Sequence, residues 1–202
     1  WYQVAGLCEH NQGRIGAALT KYANEHDGAL PAVEARSRRW MGGDGEAVSN
    51  SAALFKLIRD QYEKPAVFQC PALGGDGSFR VQGGMRDFPK SDFVDYSYQH
   101  MIGPAVRPNA PAEGLAVLGD RNPLFDDRGR FRRDRTPVQP SDNHDGRGQN
   151  VLYLSGHVNW TDTPEAGVDG NNIWVAEGIS DYRGDEAPAG PTDTFLLPAY
   201  SR

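Results

Sequence analysis

Residues Tyr2 to Glu25 constrain this chain more than any other stretch. Val4, Leu7, Cys8, Ile15, Ala18, Leu19 and Tyr22 recur mostly at three- and four-residue steps, the spacing of one apolar face on an α-helix. Read as a single helix, the stretch is roughly 36 Å long at about 1.5 Å per residue. Glu9, His10, Asn11, Arg14, Lys21 and Asn24 occupy the other face and are expected in water. Asp27-Gly28 supplies a left-handed stop, and Pro31 prevents the helix from resuming. Two architectures fit: a helical spine with a β-rich head wrapped against it, or the ordinary first helix of an α+β domain. Periodicity alone favours the second.

Beyond this helix the chain is rich in breakers, with 24 Gly and 14 Pro in 202 residues overall. Short elements and much irregular chain are expected, not a helical bundle. The length fits one domain spanning 1–202, which buries roughly 70% of its unfolded surface and needs no metal or disulfide lattice to form a core. A formal charge of −6 offers no positive field for phosphates, so no nucleic-acid partner is expected. Arg128, Arg130, Arg132, Arg133 and Arg135 alternate with Asp126, Asp127 and Asp134, which reads as a solvated, self-neutralising loop. No run of about 18 apolar residues occurs, so the given residues contain neither a membrane span nor a recognisable signal peptide. Two cysteines do not define a compartment, and Cys8 and Cys70 both read as buried thiols.

Taken in order, Leu30 to Gly45 is a loop in which Trp40 acts as a lid on the core edge, with a ligand platform as the second reading. Ser49 or Ser51 caps a second helix carrying Leu54, Leu57, Ile58 and Tyr62, and Pro65 ends it. Ala66 to Cys70 is a short strand or extended segment. Gly74 to Lys90 is a region of turns. Phe93 to Met101 reads as a strand, with Phe93, Asp95, Ser97 and Gln99 alternating with Val94, Tyr96, Tyr98 and His100. Gly114 to Gly119 is short and continuously apolar, as a strand covered on both faces would be. Asp120 to Gln149 has no periodicity and reads as a long structureless loop. Asn150 to Trp160 is the clearest β signal, two apolar runs around the turn Ser155-Gly156. Ile173, Trp174, Val175 and Phe195 to Pro198 anchor the tail.

Motifs for catalysis are missing. There is no phosphate-binding glycine loop, no Gly-x-Ser-x-Gly and no His-Glu-x-x-His. The five histidines lack the spacing of a zinc site. Asp-Gly occurs at 27, 44, 76, 145 and 169; each reads first as a turn and second as part of a calcium loop, though none fits the Asp-x-Asp-x-Asp-Gly pattern. A glycosidase-like acid pair has no sequence signature that would reveal it. Asp120, Asn122, Asn143, His144 and His157 form the nearest polar constellation. A hydrogen-bonded loop anchor is the first reading of it, and a metal site held by Asp120, Asn122, His144 and His157 is the second.

Several segments resemble a known family. Cys8-Glu9-His10-Asn11-Gln12-Gly13-Arg14-Ile15-Gly16-Ala17-Ala18-Leu19, continuing through Tyr22 to Pro31, is similar to the segment after the transmembrane part of bacterial prepilin-like proteins. These are relatives of type IV pilins and type II secretion pseudopilins with an N-terminal cleavage and methylation signal. Asn143-His144 and Gly148 to Val158 resemble that group's C-terminal His-x9-Asp-Gly signature, with a spacing of ten and Ser155 in place of Asp. Phe68-Gln69-Cys70-Pro71, Gly119 to Pro123 and Pro191 to Pro198 are similar as well.

The resemblance implies a pilin-like α+β fold, a long N-terminal helix packed on an antiparallel sheet with long irregular loops. It makes the spine architecture the favoured one, with 1–26 as spine and 27–202 as globular part. It also implies an exported protein, located in the periplasm, at the cell surface or outside the cell, in which Cys8 and Cys70 pair. The family's apolar half-helix, which anchors the precursor in the inner membrane, is expected ahead of Trp1. Partners are then further copies or other pilin-like subunits, the assembly surface includes Trp1, Tyr2 and Val4, and neither a cofactor nor a reaction is expected. The competing reading is a secreted carbohydrate-binding module or carbohydrate-active enzyme using Trp40, Trp160, Trp174 and the acidic loops.

Overall fold

A computed structural model describes residues 2–35, 39–41, 49–103 and 114–200, with backbone alone for residues 2 and 3. Among these the chain is α+β. Helix α1 runs Tyr2–Glu25 and ends as its sequence dictates. Asp27 and Gly28 both take positive φ, 53° and 79°, and the Gly28 N–H closes the last turn on the Ala23 carbonyl at 2.8 Å.

Helix α2, Ser51–Arg59, starts differently from expectation. Asn50, not a serine, occupies its N-cap position and makes no side-chain capping bond. Its amide instead donates to the carbonyls of Tyr98 and Gln99 and accepts from the Met101 N–H, so the residue sews the helix to the sheet. In the segment expected as a strand or extended chain at 66–70, Pro65–Phe68 is a 3-10 turn, because Pro65 presets the first position of a helical turn, and only Gln69 and Cys70 are extended.

Five antiparallel strands form one sheet: β1 Tyr96–Gln99, β2 Ala116–Asp120, β3 Gln149–Tyr153, β4 Val158–Thr161 and β5 Leu196–Leu197, in the order β4-β3-β2-β1-β5. β3 and β4 are the hairpin, turning through Gly156 at φ 92°, with Leu152 opposite Val158 and Asn150 opposite Trp160. The sheet is covered on both faces. On one side Val94, Tyr96, Tyr98, Leu118 and Leu152 pack with Ile15, Leu19 and Tyr22 of α1 and Leu54 and Leu57 of α2. On the other, Val151 and Leu196 pack with Trp40, Phe125, Trp174, Tyr182 and Phe195.

That second layer corrects the expectation of a structureless Asp120–Gln149 loop. It has few regular elements, yet it is ordered around Asn122. The Asn122 amide donates to the carbonyls of Trp174 and Leu196, both at 2.8 Å, and accepts from the Leu124 N–H. Phe125 and Phe131 then close a short bridge. Buried backbone groups need partners, and one asparagine supplies three of them where no helix or strand does.

The apolar stripe of α1 is also corrected at two positions. Leu7 is 53% exposed, whereas Gln12 is fully buried. The buried line runs through Ala5, Cys8, Gln12, Ile15, Leu19 and Tyr22, at the three- and four-residue steps of one helix face. Leu7 sits one residue off that line, and the reason for burying Gln12 lies in what it meets.

Candidate functional site

Gln12 faces the carboxyl of Asp120, the last residue of β2. Its Nε2 donates to Asp120 Oδ1 at 3.1 Å and lies 3.3 Å from the Asn150 carbonyl. The Asn150 N–H donates to Asp120 Oδ2 at 2.7 Å, and Asn143 Nδ2 lies 3.4 Å from Oδ1. His144 Nε2 is 3.1 Å from Oδ2. Three other parts of the chain therefore converge on one carboxyl that has no exposed surface. Such a group is tolerated in a core only when its oxygens are saturated with donors. Removal of the carboxyl would strand those donors, which is the energetic reason for it to persist.

The disulfide adjoins this cluster. Cys8 and Cys70 are bonded, with Cα atoms 5.3 Å apart, and neither has exposed surface. His144 Nε2 lies 3.8 Å from Cys70 Sγ. Asp95 Oδ2 accepts from the Cys70 N–H at 2.9 Å, and burial pushes the Asp95 carboxyl up to about 6, against the opposing pull of that hydrogen bond and of Arg121. The Trp160 ring stands edge-on to His144, centroids 5.2 Å apart, and closes the cluster on the outside.

Of the expected metal set, Asp120 and His144 are together. Asn122 is not available, because its amide holds the far-side loop. His157 is elsewhere, exposed at the hairpin turn, where it stacks on Tyr153 at 4.6 Å and bonds Ser155 Oγ at 2.5 Å. Histidines distant in sequence carried no signal of this separation. Among the described residues, the one grouping of three His, Cys, Asp or Glu ligand atoms within 4.8 Å of one another is Cys8, Cys70 and His144. Gln12 and Asn150 were missed because one reads as helix surface and the other as the start of a strand.

The Asp-Gly pairs at 27, 145 and 169 are turns with both residues at positive φ. Asp76 accepts from the backbone and hydroxyl of Ser78, and Asp44-Gly45 lies outside the described residues. The arginine run is neutralised partly from within, Arg130 pairing with Asp126 and Arg132 with Asp134, and partly by carboxylates outside it, Arg133 with Asp181 and Arg135 with Asp142.

Two of the three tryptophans offered for carbohydrate binding are internal. Trp40 is 4% exposed and donates to the Glu186 carbonyl. Trp174 has no exposed surface and donates to the Gln139 carbonyl. Trp160, at 38%, is the exposed one. Of the expected assembly surface, Val4 is half-buried; Trp1 and the side chain of Tyr2 lie outside the described residues. α1 is held to the sheet as far towards its start as Ala5, whose carbonyl accepts from Asn150 Nδ2 at 3.3 Å. Comparison with known protein families, with proteins of described function and with solved structures finds no match to this chain.

Proposed function

We propose that this chain is the head of a pilin- or pseudopilin-like structural subunit, exported from the cytoplasm, that assembles with copies of itself or with related subunits. The observation that carries the reading is the placement of α1. A 24-residue helix lies on an antiparallel sheet, bolted there by the Cys8–Cys70 bond and the Asp120 cluster, while Leu7 near its start points outward at 53% exposure. A helix fixed so firmly transmits load from whatever holds its N-terminal end to the head, which is what a filament subunit requires. The apolar half-helix that the family resemblance implies would extend α1 ahead of Trp1. No catalytic step belongs to this function; the site is a clamp.

The test is electron microscopy of cells making the protein, labelled with antibodies against the head. Filaments or envelope-associated label are expected, and Leu7→Lys should reduce incorporation while leaving the melting of the isolated head unchanged. Finding the protein only as a dispersed soluble species, or finding that it hydrolyses polysaccharide, overturns the reading.

A further inference from the structure

We propose that the dithiol form of this protein is a zinc site built from Cys8, Cys70, His144 and Asp120, and that the disulfide is the metal-free state of the same cluster. The inference rests on what surrounds the cysteines, independently of any role in assembly.

A structural disulfide needs only apolar packing. This one has an imidazole nitrogen 3.8 Å from Cys70 Sγ and a carboxylate oxygen 3.1 Å from that nitrogen. In a tetrahedral zinc site with bonds of about 2.3 Å to sulfur and 2.0 Å to nitrogen and oxygen, neighbouring donors are roughly 3.3–3.7 Å apart. The nitrogen-to-sulfur and nitrogen-to-oxygen spacings are therefore close to those of such a site already. The adjustments needed are separation of the two sulfurs once their bond is cut and a swing of the Asp120 carboxylate toward them. Three of the donors, the two sulfurs and the His144 nitrogen, already lie within 4.8 Å of one another and are buried.

The surroundings match as well. Gln12 and Asn143 donate to Asp120 Oδ1, as outer hydrogen bonds hold the second oxygen of a metal-binding carboxylate, while Oδ2, beside His144, exchanges its bond from Asn150 N–H for the metal as it turns. The Gln12 Oε1 atom is buried without a hydrogen-bond partner, so the oxidised cluster leaves an acceptor over. Two thiolates and an imidazole select zinc among the common divalent ions, since calcium and magnesium require oxygen.

The chemistry balances with an external dithiol as reductant. Its two thiols become a disulfide as the Cys8–Cys70 bond is cut, and two electrons and two protons pass to the protein sulfurs. Zinc then binds, and the two thiol protons leave to solvent. Run backwards, an external disulfide accepts the two electrons and is cleaved to its dithiol as the Cys8–Cys70 bond re-forms and the metal is released.

The test uses the whole chain, reduced with a phosphine under anaerobic conditions and titrated with cobalt(II). Expected are one equivalent bound, a thiolate-to-cobalt charge-transfer band with the intense visible bands of tetrahedral cobalt, and displacement of both by zinc. The disulfide form should show none of these. His144→Gln and Asp120→Asn should each weaken binding by at least about tenfold, measured on variants whose oxidised forms show the wild-type circular dichroism. If the reduced chain unfolds without metal, cobalt should restore its circular dichroism, and fail to do so in His144→Gln. No bands in the reduced chain, equal affinity in His144→Gln, or bands that survive in urea would each overturn the site.

Discussion

Leu152 lies directly beneath Gly16, so that a Cβ built on the glycine would stand 2.9 Å from Leu152 Cδ1. Helix and sheet meet at this point, and the leucine has no exposed surface. Leu152→Asp should unfold the protein, because an unpaired buried carboxylate costs several kcal/mol against a total of roughly 5–15. Leu154, half-buried beside the turn, should tolerate Asp with a smaller loss. Thermal melting of both variants checks the order; equal, unchanged melting would show that the hairpin does not carry the core.

Thiol titration of the denatured, unreduced protein should find no free cysteine. Replacing both cysteines by serine should lower stability by about 4 kcal/mol or less, the chain-entropy value for a closed loop of this size. Urea denaturation measures it, and the discovery of two free thiols in the unreduced protein would refute the pairing.

Asp95 gives the disulfide form a pH dependence with a definite sign. Its carboxyl is raised from 3.8 to about 6, so the fold favours the neutral acid. Its contribution is complete below pH 3.8 and is lost as pH rises through about 6, by at most about 3 kcal/mol. Desolvation dominates; Asp92 and Asp120 add to it, while Arg121 and the Cys70 N–H oppose it. Asp95→Asn keeps an acceptor for that N–H and should gain on the wild type as pH rises from 4 to 8. Parallel melting curves across that range would contradict the assignment.

Gly148 has no room for a side chain. An added Cβ would stand 2.6 Å from both the Thr161 carbonyl oxygen and the Trp160 ring, at φ 150°. Gly148→Ala should cost about 1–3 kcal/mol and displace the indole that closes the cluster. Both are readable as a lower melting temperature and an altered tryptophan fluorescence spectrum.

How much of this could be read from the residues depends on where each interaction partner lies. α1 was legible in its length and stop, which are local properties, whereas its buried face was misplaced at Leu7 and Gln12. The hairpin and its turn were legible for the same reason, but the face that meets the helix was not. The residues left Val151, Tyr153 and Val158 or Leu152, Leu154 and Trp160 as alternatives; Leu152, Leu154 and Val158 are the ones packed in the helix-side core, Val158 standing opposite Leu152. The strand at 93–101 was legible in its alternation but shrinks to Tyr96–Gln99, because Ser91–Phe93 forms a 3-10 turn. The far-side layer was not legible: Asn122 organises it through carbonyls 52 and 74 residues away, and an asparagine carries no mark of which carbonyls it will reach. The candidate site was half legible. Asp120 and His144 were singled out together, but their separation from His157, and the burial of Gln12 among them, are facts of tertiary placement.

β5 has a consequence for how the chain comes to be folded at all. It pairs with β1, and the Gln99 side chain bonds Phe195 N–H across 96 residues of sequence. The edge of β1 and the packing of Phe195 on Trp40 cannot form until residues 195–197 are present. Pairings that distant form slowly, because their loop-closure entropy is lost before any contact offsets it. Until residues 195–197 have been synthesised this pairing is therefore missing, and the sheet's second face stays open. Folding of the second layer must therefore wait for Leu196 and Leu197, and β5 is the strand that completes it.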